Sequence, residues 1–203
     1  LYLFDSLVKP ILMYMSDFWG SLIKHKFDNP IELIHYRFLK QLLGVQQQTS
    51  NTGVLLEIGR FPVTLFAKRN CVKNWERISR ENCNTLITLS YKNMVENGIM
   101  WYQNIKDALT EIGLQYLTTG GQNTGNKHST YFRRILDIFY QDSFAEINKE
   151  NSKLRTYKLF KTSSEMDSYI TKMKNQKYRI DFPKFSLSNH DLMVEIGRHN
   201  GIK

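Results

Sequence analysis

Apolar residues recur every three or four positions along nearly the whole chain, a spacing that places them on one face of an α-helix. The first stripe of this kind contains Phe4, Val8, Ile11, Met15 and Phe18. Pro10 lies inside this segment and predicts a kink, because its ring leaves no N–H to bond the carbonyl of Ser6. Gly20 is the expected end of this first helix.

The clearest helix-start signal precedes the second stripe. Asn29 can cap the helix with its side chain, Pro30 suits the first helical position, and Glu32 follows three residues after the cap. Gly44 suits the left-handed geometry at a helix end. The face expected to be buried consists of Ile31, Ile34, Phe38 and Leu42.

The same spacing predicts further helices over about 54–58, 62–79, 84–96, 100–112, 129–147, 152–161 and 164–175. Only the stretch IDFPKFSL, interrupted by Pro183, resembles a short strand. The sequence contains no alternating strand series and no internal repeat. The expected fold class is therefore all-α.

A polar segment divides the chain. Residues 118–129, TTGGQNTGNKHS, contain no large apolar side chain and are expected to form a flexible loop. Its last residue, Ser129, is expected to cap the helix that follows. We therefore predict four parts: a helical bundle at 1–83, bridging helices at 84–117, the loop at 118–129 and a basic helical region at 130–203.

The chain has 203 residues. It carries 28 Lys and Arg residues against 19 Asp and Glu residues, so its formal net charge is +9. The excess is +1 in residues 1–60, +2 in 61–120 and +6 in 121–203, so most of it lies in the last third. Such an excess favours an anionic partner, either nucleic acid or an acidic surface.

Composition excludes several classes of protein. Aromatic residues make up 13% of the chain, too many for a disordered polyelectrolyte, and no apolar run reaches the roughly 18 residues of a membrane span. Two cysteines cannot form a disulfide framework, which favours an intracellular location, nuclear or cytoplasmic. Leu1 stands at the start and no signal-peptide pattern precedes the first helix, so we expect a piece of a longer protein or a trimmed product.

No pattern in the sequence predicts an enzyme, a metal site or a cofactor. Glycine-rich phosphate loops, a nucleophile elbow and zinc-ligand spacings are absent from the sequence. Asp191 and Glu195 lie four residues apart and suit a divalent cation or acid–base work, but a solvated helix face is the commoner arrangement. The sequence therefore predicts a non-catalytic protein without metal or cofactor.

Basic residues share one face of the helix predicted from Pro62 to Ser79. Spacings of four, four and three separate Arg69, Lys73, Arg77 and Arg80. They lie opposite a face formed by Ala67, Cys71, Asn74, Trp75 and Ile78. Such a row can follow a phosphate backbone, where contacts position the nucleic acid without reading its sequence. The alternative is a solvated face on which Glu76 pairs with Arg80.

The segment from Lys149 to Lys184 combines ten basic residues and four acidic ones with aromatic residues. The interleaved rings are Tyr157, Phe160, Tyr169 and Tyr178. This composition suits single-stranded nucleic acid, and tyrosines at helical spacing equally suit a core with a solvated hydroxyl. The candidate phosphate contacts are Lys158, Lys161, Lys172, Lys177 and Arg179. Arg60 is a further candidate at a helix corner, where its guanidinium can cap carbonyls or meet phosphate.

Several strings together resemble one protein family. LFDSLVKPILMYMSDFWG, FLKQLLGV, LLEIGRFPV, NWERI, YKLFK and NHDLMVEIGR are similar, in register, to the reverse transcriptases of retrotransposons without long terminal repeats (non-LTR). The resemblance implies a thumb-like helical bundle followed by a helical connector, with the family's catalytic aspartates upstream and its zinc knuckle downstream. It implies a grip on a template–primer, RNA or an RNA–DNA duplex, and contact with upstream palm and fingers domains.

The sequence departs from the family pattern at three positions. Met15 stands where the family has Gly, Met193 where it has Pro, and His199 where Trp is typical. Two further interpretations stay open. The chain can be a domesticated helical domain that docks another protein without nucleic acid, or a structural remnant that leaves exposed Leu3, Leu7 and Trp19.

Overall fold

The computed structural model describes residues 1–23, 29–79, 85–119, 126–149, 154 and 157–188. Every regular element in these ranges is helical, which confirms the all-α class. A π-helical turn (Phe4–Val8) precedes the first α-helix, and a 3₁₀ turn (Gly20–Leu22) follows the second. The α-helices are α1 Lys9–Leu12, α2 Ser16–Trp19, α3 Pro30–Leu43, α4 Asn51–Ile58, α5 Val63–Ile78, α6 Thr85–Glu96, α7 Met100–Glu111, α8 Tyr116–Thr119, α9 Lys127–Asn148, α10 Tyr157–Phe160, α11 Ser168–Lys172 and α12 Gln176–Ser186.

The helices group into two compact units that alternate along the chain. The first unit combines the described residues of Leu1–Ile31 and Val63–Asp137, and the second combines Glu32–Pro62 with the described residues from Ile138 onward. This grouping differs from the contiguous segments 1–83, 84–117, 118–129 and 130–203 that the sequence predicts. Hydrogen bonds between residues far apart in sequence cross the predicted boundaries: His128 contacts Glu76 in the first unit, and Tyr169 donates to Glu57 in the second.

The start of the first unit is irregular at two points. The backbone N–H of Lys9 bonds the carbonyl of Phe4, which makes a π-turn directly before Pro10, where the sequence predicts a kink. Met15 then adopts a left-handed conformation with φ 55°. One continuous helix was expected here, and that expectation is wrong. The predicted stripe is not buried as one face, since Phe4 is buried while Ile11 is 75% exposed.

Helix α5 forms the core of the first unit. Three residues of its predicted inward face, Ala67, Cys71 and Trp75, are each at most 2% exposed, whereas Ile78 is half-buried. Gly20 packs directly on this helix: a Cβ at Gly20 would lie 2.4 Å from the carbonyl oxygen of Ala67. Only glycine permits this approach.

Helices α6 and α7 match the predicted helices at 84–96 and 100–112. The predicted loop at 118–129 is shorter at both ends, because Thr118 belongs to α8 and Ser129 lies inside α9. The backbone N–H of Ser129 bonds the carbonyl of Asn126, so Ser129 does not cap this helix. The remainder of that loop, residues 120–125, lies outside the described residues.

Helix α3 confirms the predicted ends and corrects the predicted face. The backbone N–H of Ile31 donates to Oδ1 of Asn29 at 3.0 Å, and Gly44 has φ +68°. However, Ile34 and Leu42 are 46% and 43% exposed. The buried face of α3 instead contains Glu32, His35, Tyr36, Leu39, Lys40 and Leu43.

Polar partners make this charged face of α3 compatible with burial. Lys40 Nζ donates to the carbonyl of Gln47 at 2.7 Å, and burial lowers the pKa of Lys40. His35 Nδ1 lies 3.4 Å from the carboxylate of Glu32. A buried charge that finds a partner is tolerated, so the apolar stripe alone does not identify the inward face.

Helix α4 is the most buried part of the second unit, with every residue from Gly53 to Ile58 buried. Oγ of Ser50 caps it by accepting from the N–H of Gly53 at 3.3 Å. Gly59 ends it with φ +64°, as predicted. Within the helices predicted at 152–161 and 164–175, the described residues form α10 and α11, while residues 152–153 and 155–156 lie outside the described residues.

The stretch IDFPKFSL belongs to helix α12, so the strand interpretation is wrong. Asn175 caps this helix, its Oδ1 accepting from the N–H of Lys177 at 3.0 Å. Pro183 lies in the last turn, where only one backbone hydrogen bond is lost. Nowhere in the described ranges does a helix combine the length and apolarity needed to cross a membrane.

Candidate nucleic-acid interface

An open groove of about 510 Å³ lies beside α5 in the first unit. We call it the α5 groove. It is lined by Met13, Ser16, Asp17, Asn70, Lys73, Asn74, Glu76, Arg77 and His128. Helix α5 therefore provides most of its polar side chains.

The spacing of residues on α5 explains which side chains meet in the groove. Asn70, Lys73, Asn74 and Arg77 follow one another at intervals of three, one and three, so they share one face of the helix. Lys73 and Arg77 are exposed. Nη2 of Arg77 donates to Oδ1 of Asn74 at 2.9 Å, which orients the guanidinium. Two of the predicted phosphate contacts thus share an open surface.

Helix α2 contributes the opposite wall. Nδ2 of Asn70 donates to Oγ of Ser16 at 2.9 Å, and Ser16 is 2% exposed. The carboxylate of Asp17 follows directly in sequence and also lines the groove. This wall was not predicted from the sequence. Helical spacing could have predicted that Asn70 lies in the groove, since it precedes Lys73 by three residues on the basic face. No local sequence pattern indicates that Ser16 lies there.

A hydrogen-bonded acid–histidine pair lines another side of the α5 groove. Oε2 of Glu76 accepts from the backbone N–H of His128 at 3.0 Å and lies 2.7 Å from its Nδ1. Glu76 is 6% exposed. Because the two residues are 52 positions apart in sequence, no local pattern predicts the pair. It ties the first turn of α9 to α5.

One of the predicted basic contacts on α5 lies outside the groove. The Cζ atom of Arg69 lies 4.8 Å from the centre of the Phe132 ring, and its Nε is buried without a hydrogen bond in the part of the chain described. Arg69 therefore packs against α9 through a cation–π contact. Arg80 lies outside the described residues.

The predicted contacts of the second unit separate into exposed and internal positions. Lys158, Lys172, Lys177 and Arg179 are exposed. Lys161 is 5% exposed, and its Nζ donates to the carbonyl of Glu165 at 2.6 Å and to Oδ2 of Asp167 at 2.9 Å. Its charge is neutralised inside the protein, so the structure corrects the prediction that it meets phosphate.

Arg60 contributes to the end of α4 through its backbone. Its N–H bonds the carbonyl of Leu55 at 2.8 Å, one turn back, while Gly59 supplies the left-handed residue of the cap. The side chain of Arg60 is half-buried. The guanidinium contact predicted for Arg60, with carbonyls or with phosphate, stays a prediction.

The aromatic residues of the basic segment divide in the same way. Tyr157 is 1% exposed, whereas Phe160 and Tyr178 are about equally open, at 60% and 61%. Tyr169 is half-buried and donates to the carboxylate of Glu57. The core interpretation holds for Tyr157 and Tyr169, and the exposed rings remain available for stacking.

A polar cluster around Glu57 lies inside the second unit. The carboxylate accepts hydrogen bonds from the hydroxyls of Tyr169 and Ser186, the latter at 3.2 Å. The backbone carbonyl of Glu57 accepts from the N–H of Asp167 at 3.2 Å. Burial, together with the nearby Asp167 carboxylate, raises the pKa of Glu57 to about 6. Burial also raises the pKa of Tyr157, which lies beside the same carboxylate.

This cluster explains the buried position of Glu57 structurally. Its hydroxyl partners and the Lys161–Asp167 pair fasten the segment before α11 to α4.

Among the residues that the structure describes, no group of three His, Cys, Asp or Glu side chains could hold a metal ion. Comparison with protein-family models, with curated proteins and with solved structures finds no match.

Proposed function

We propose that this chain is the thumb and connector region of a non-LTR reverse transcriptase-like protein, and that it binds nucleic acid without carrying out a reaction. The observation that carries the proposal is the α5 groove, in which exposed Lys73 and Arg77 stand one helical turn apart on an open surface. Asn74 holds the guanidinium in place. A duplex phosphate backbone is the anion that suits such a row of cations.

The conformation at Met15 supports the family resemblance. Met15 has φ 55°, a conformation that is costly for a residue with a Cβ and easy for glycine. Glycine is the residue that the family has at this position. The string LLEIGRFPV likewise coincides with a structural unit, because Gly59 ends α4 in a left-handed conformation and Pro62 directly precedes α5.

The test is equilibrium binding of the full chain to a short RNA–DNA hybrid over a range of salt concentrations. We expect affinity to fall steeply with salt. The double variant Lys73→Ala/Arg77→Ala should flatten the logarithmic salt slope by about two, because each duplex phosphate contact contributes about 0.9. Lys92→Ala/Lys106→Ala removes two exposed cations from α6 and α7 and serves as the matched control. Absence of binding at low salt contradicts the proposal.

A second candidate function is docking of another protein, and one observation favours it. Within the first unit, seven of the large apolar side chains between residues 2 and 22 are half or more exposed. The most exposed are Tyr2 at 81%, Tyr14 at 77%, Ile11 at 75%, Leu3 at 69% and Leu7 at 62%. Exposed apolar patches of more than a few hundred Å² mark interaction surfaces.

Light scattering after size exclusion measures the molar mass in solution and thereby tests whether this apolar surface mediates association. If the apolar face mediates contacts, the full chain associates with itself or with added protein, and Ile11→Glu returns it to a monomer. Leu86→Glu is the matched control, because Leu86 is similarly exposed, at 73%, on α6. A wild-type chain that is monomeric at every concentration and retains no partner rejects this candidate.

A further inference from the structure

The Ser16–Asn70 pair retains unused hydrogen-bonding capacity inside the α5 groove. Within the described part of the chain, the 2.9 Å bond from Nδ2 of Asn70 to Oγ of Ser16 is the only hydrogen bond of either side chain. The Ser16 hydroxyl proton is therefore left to donate, and Oδ1 of Asn70 is left to accept. Ser16 is 2% exposed and still lines the groove. A ligand in the groove meets a donor and an acceptor side by side.

The pair and the cations occupy different positions along α5. Asn70 precedes Lys73 and Asn74 by about one turn and Arg77 by about two, which corresponds to roughly 10 Å of helix axis. The cations thus lie toward one end of the α5 groove, and the neutral Ser16–Asn70 pair lies toward the other end. One strand of nucleic acid presents phosphates and sugars in alternation at a comparable spacing.

One acidic group, Asp17, lies at the end of the groove that holds the neutral pair. Asp17 adjoins Ser16 and lines the groove, so a phosphate is repelled from that end and held at Lys73 and Arg77. A hydroxyl is not repelled, since a carboxylate can accept a hydrogen bond from it. Glu76 is partnered by His128 on its own side of the groove.

From this arrangement we propose that the α5 groove distinguishes an RNA strand from a DNA strand. The Ser16–Asn70 pair contacts a ribose 2′-hydroxyl while Lys73 and Arg77 hold neighbouring phosphates. The 2′-hydroxyl is both a donor and an acceptor and is the group that separates RNA from DNA. This inference rests on the proposed function of the same groove and adds strand identity to it.

The test uses one duplex sequence in three chemical forms with the full chain. The forms are an RNA–DNA hybrid, the same hybrid with a 2′-O-methyl RNA strand, and the DNA–DNA duplex. The methylated hybrid keeps the shape of the RNA hybrid and blocks the hydroxyl proton. We expect the wild type to bind the unmodified hybrid about tenfold more tightly than the methylated one, as for one to two hydrogen bonds.

Two variants assign the preference to the pair. Asn70→Ala and Ser16→Ala should each lower affinity for the unmodified hybrid to the level of the methylated hybrid, with the salt slope unchanged. Asn93→Ala on α6, an exposed amide outside the groove, should keep the preference. Helical circular dichroism verifies folding, and if Asn70→Ala unfolds, Ser16→Ala decides.

The outcomes separate this inference from the function on which it rests. Equal binding of the unmodified and methylated hybrids overturns strand discrimination while nucleic-acid binding stands. A preference that persists in Ser16→Ala and in folded Asn70→Ala also overturns it. Absence of binding to all three forms at low salt overturns both proposals together.

Discussion

The hydroxyl of Tyr169 on α11 donates a hydrogen bond to the carboxylate of Glu57 on α4, joining residues 112 positions apart. A carboxylate at this depth is stable only with such partners. Removing the hydroxyl in Tyr169→Phe leaves part of the charge unsatisfied. We expect the free energy of unfolding at pH 7 to fall by about 1–3 kcal/mol in chemical denaturation. Tyr178→Phe alters an exposed ring and should leave stability unchanged.

Glu57 also makes stability depend on pH. Its folded pKa of about 6 lies above the ordinary value of 4.5, so the folded chain holds the proton more tightly than the unfolded one. This contribution to the free energy of unfolding is present below pH 4.5 and is lost as the pH rises through about 6. The loss is on the order of 2 kcal/mol.

Glu57→Gln isolates this contribution, because the amide does not titrate. Denaturation curves measured at several pH values give the free energy of unfolding of the wild type and of the variant as a function of pH. The slope of that pH dependence should differ between the two proteins only between pH 4.5 and about 6. A wild-type chain that gains stability between pH 4.5 and 6 relative to Glu57→Gln contradicts the assignment.

Lys161 should behave as a stabilising residue and not as a phosphate contact. Because its ammonium bonds Asp167 and the carbonyl of Glu165, Lys161→Met should cost about 1–3 kcal/mol of stability in urea unfolding. The exposed Lys158 is the matched control, and Lys158→Met should change stability by less than about 0.5 kcal/mol. A change in the salt slope of nucleic-acid binding on replacing Lys161, with stability intact, would falsify this prediction.

Met15 is a position at which a smaller residue should stabilise the protein. Its φ of 55° strains a side chain with a Cβ, and glycine relieves that strain at the cost of a more flexible unfolded chain. We expect Met15→Gly to raise the free energy of unfolding by about 0.5–1 kcal/mol. Met13 has φ −93°, so Met13→Gly gains nothing and should destabilise.

Gly20 should tolerate no side chain. A Cβ there would lie 2.4 Å from the carbonyl oxygen of Ala67, and backbone cannot move aside as the tip of a side chain can. Gly20→Ala should cost about 1–3 kcal/mol through overpacking, measured as a lower thermal or urea midpoint. Gly113→Ala, with no atom within 4 Å of the added Cβ, tests the cost of a positive φ alone and should be milder.

Local chemistry in the sequence predicted the ends of helices well. Asn29, Gly44 and Gly59 act within a few residues of themselves, so capping and left-handed geometry can be identified without knowing the fold. The side of a helix that faces the core depends on distant partners. Lys40 is buried because Gln47 receives its ammonium, and the apolar stripe of α3 therefore pointed to the wrong face.

In the candidate site, too, features set by local sequence could be predicted and features set by distant partners could not. The cations Lys73 and Arg77 were predicted from spacing on one helix, because helical geometry alone brings them together. The Ser16–Asn70 and Glu76–His128 pairs each join segments more than fifty positions apart. Periodicity carries no information about such pairs, so the wall opposite α5 could not be inferred.

The alternation of the two units along the chain has a consequence for synthesis on the ribosome. The first unit combines residues before position 31 with residues between 63 and 137. A nascent chain that has emerged only to residue 83 still lacks helices α7 and α9, which complete that unit. Co-translational folding of contiguous segments is thus limited, because the residues before position 31 find their partners in this unit only after the helices between positions 63 and 137 have been synthesised.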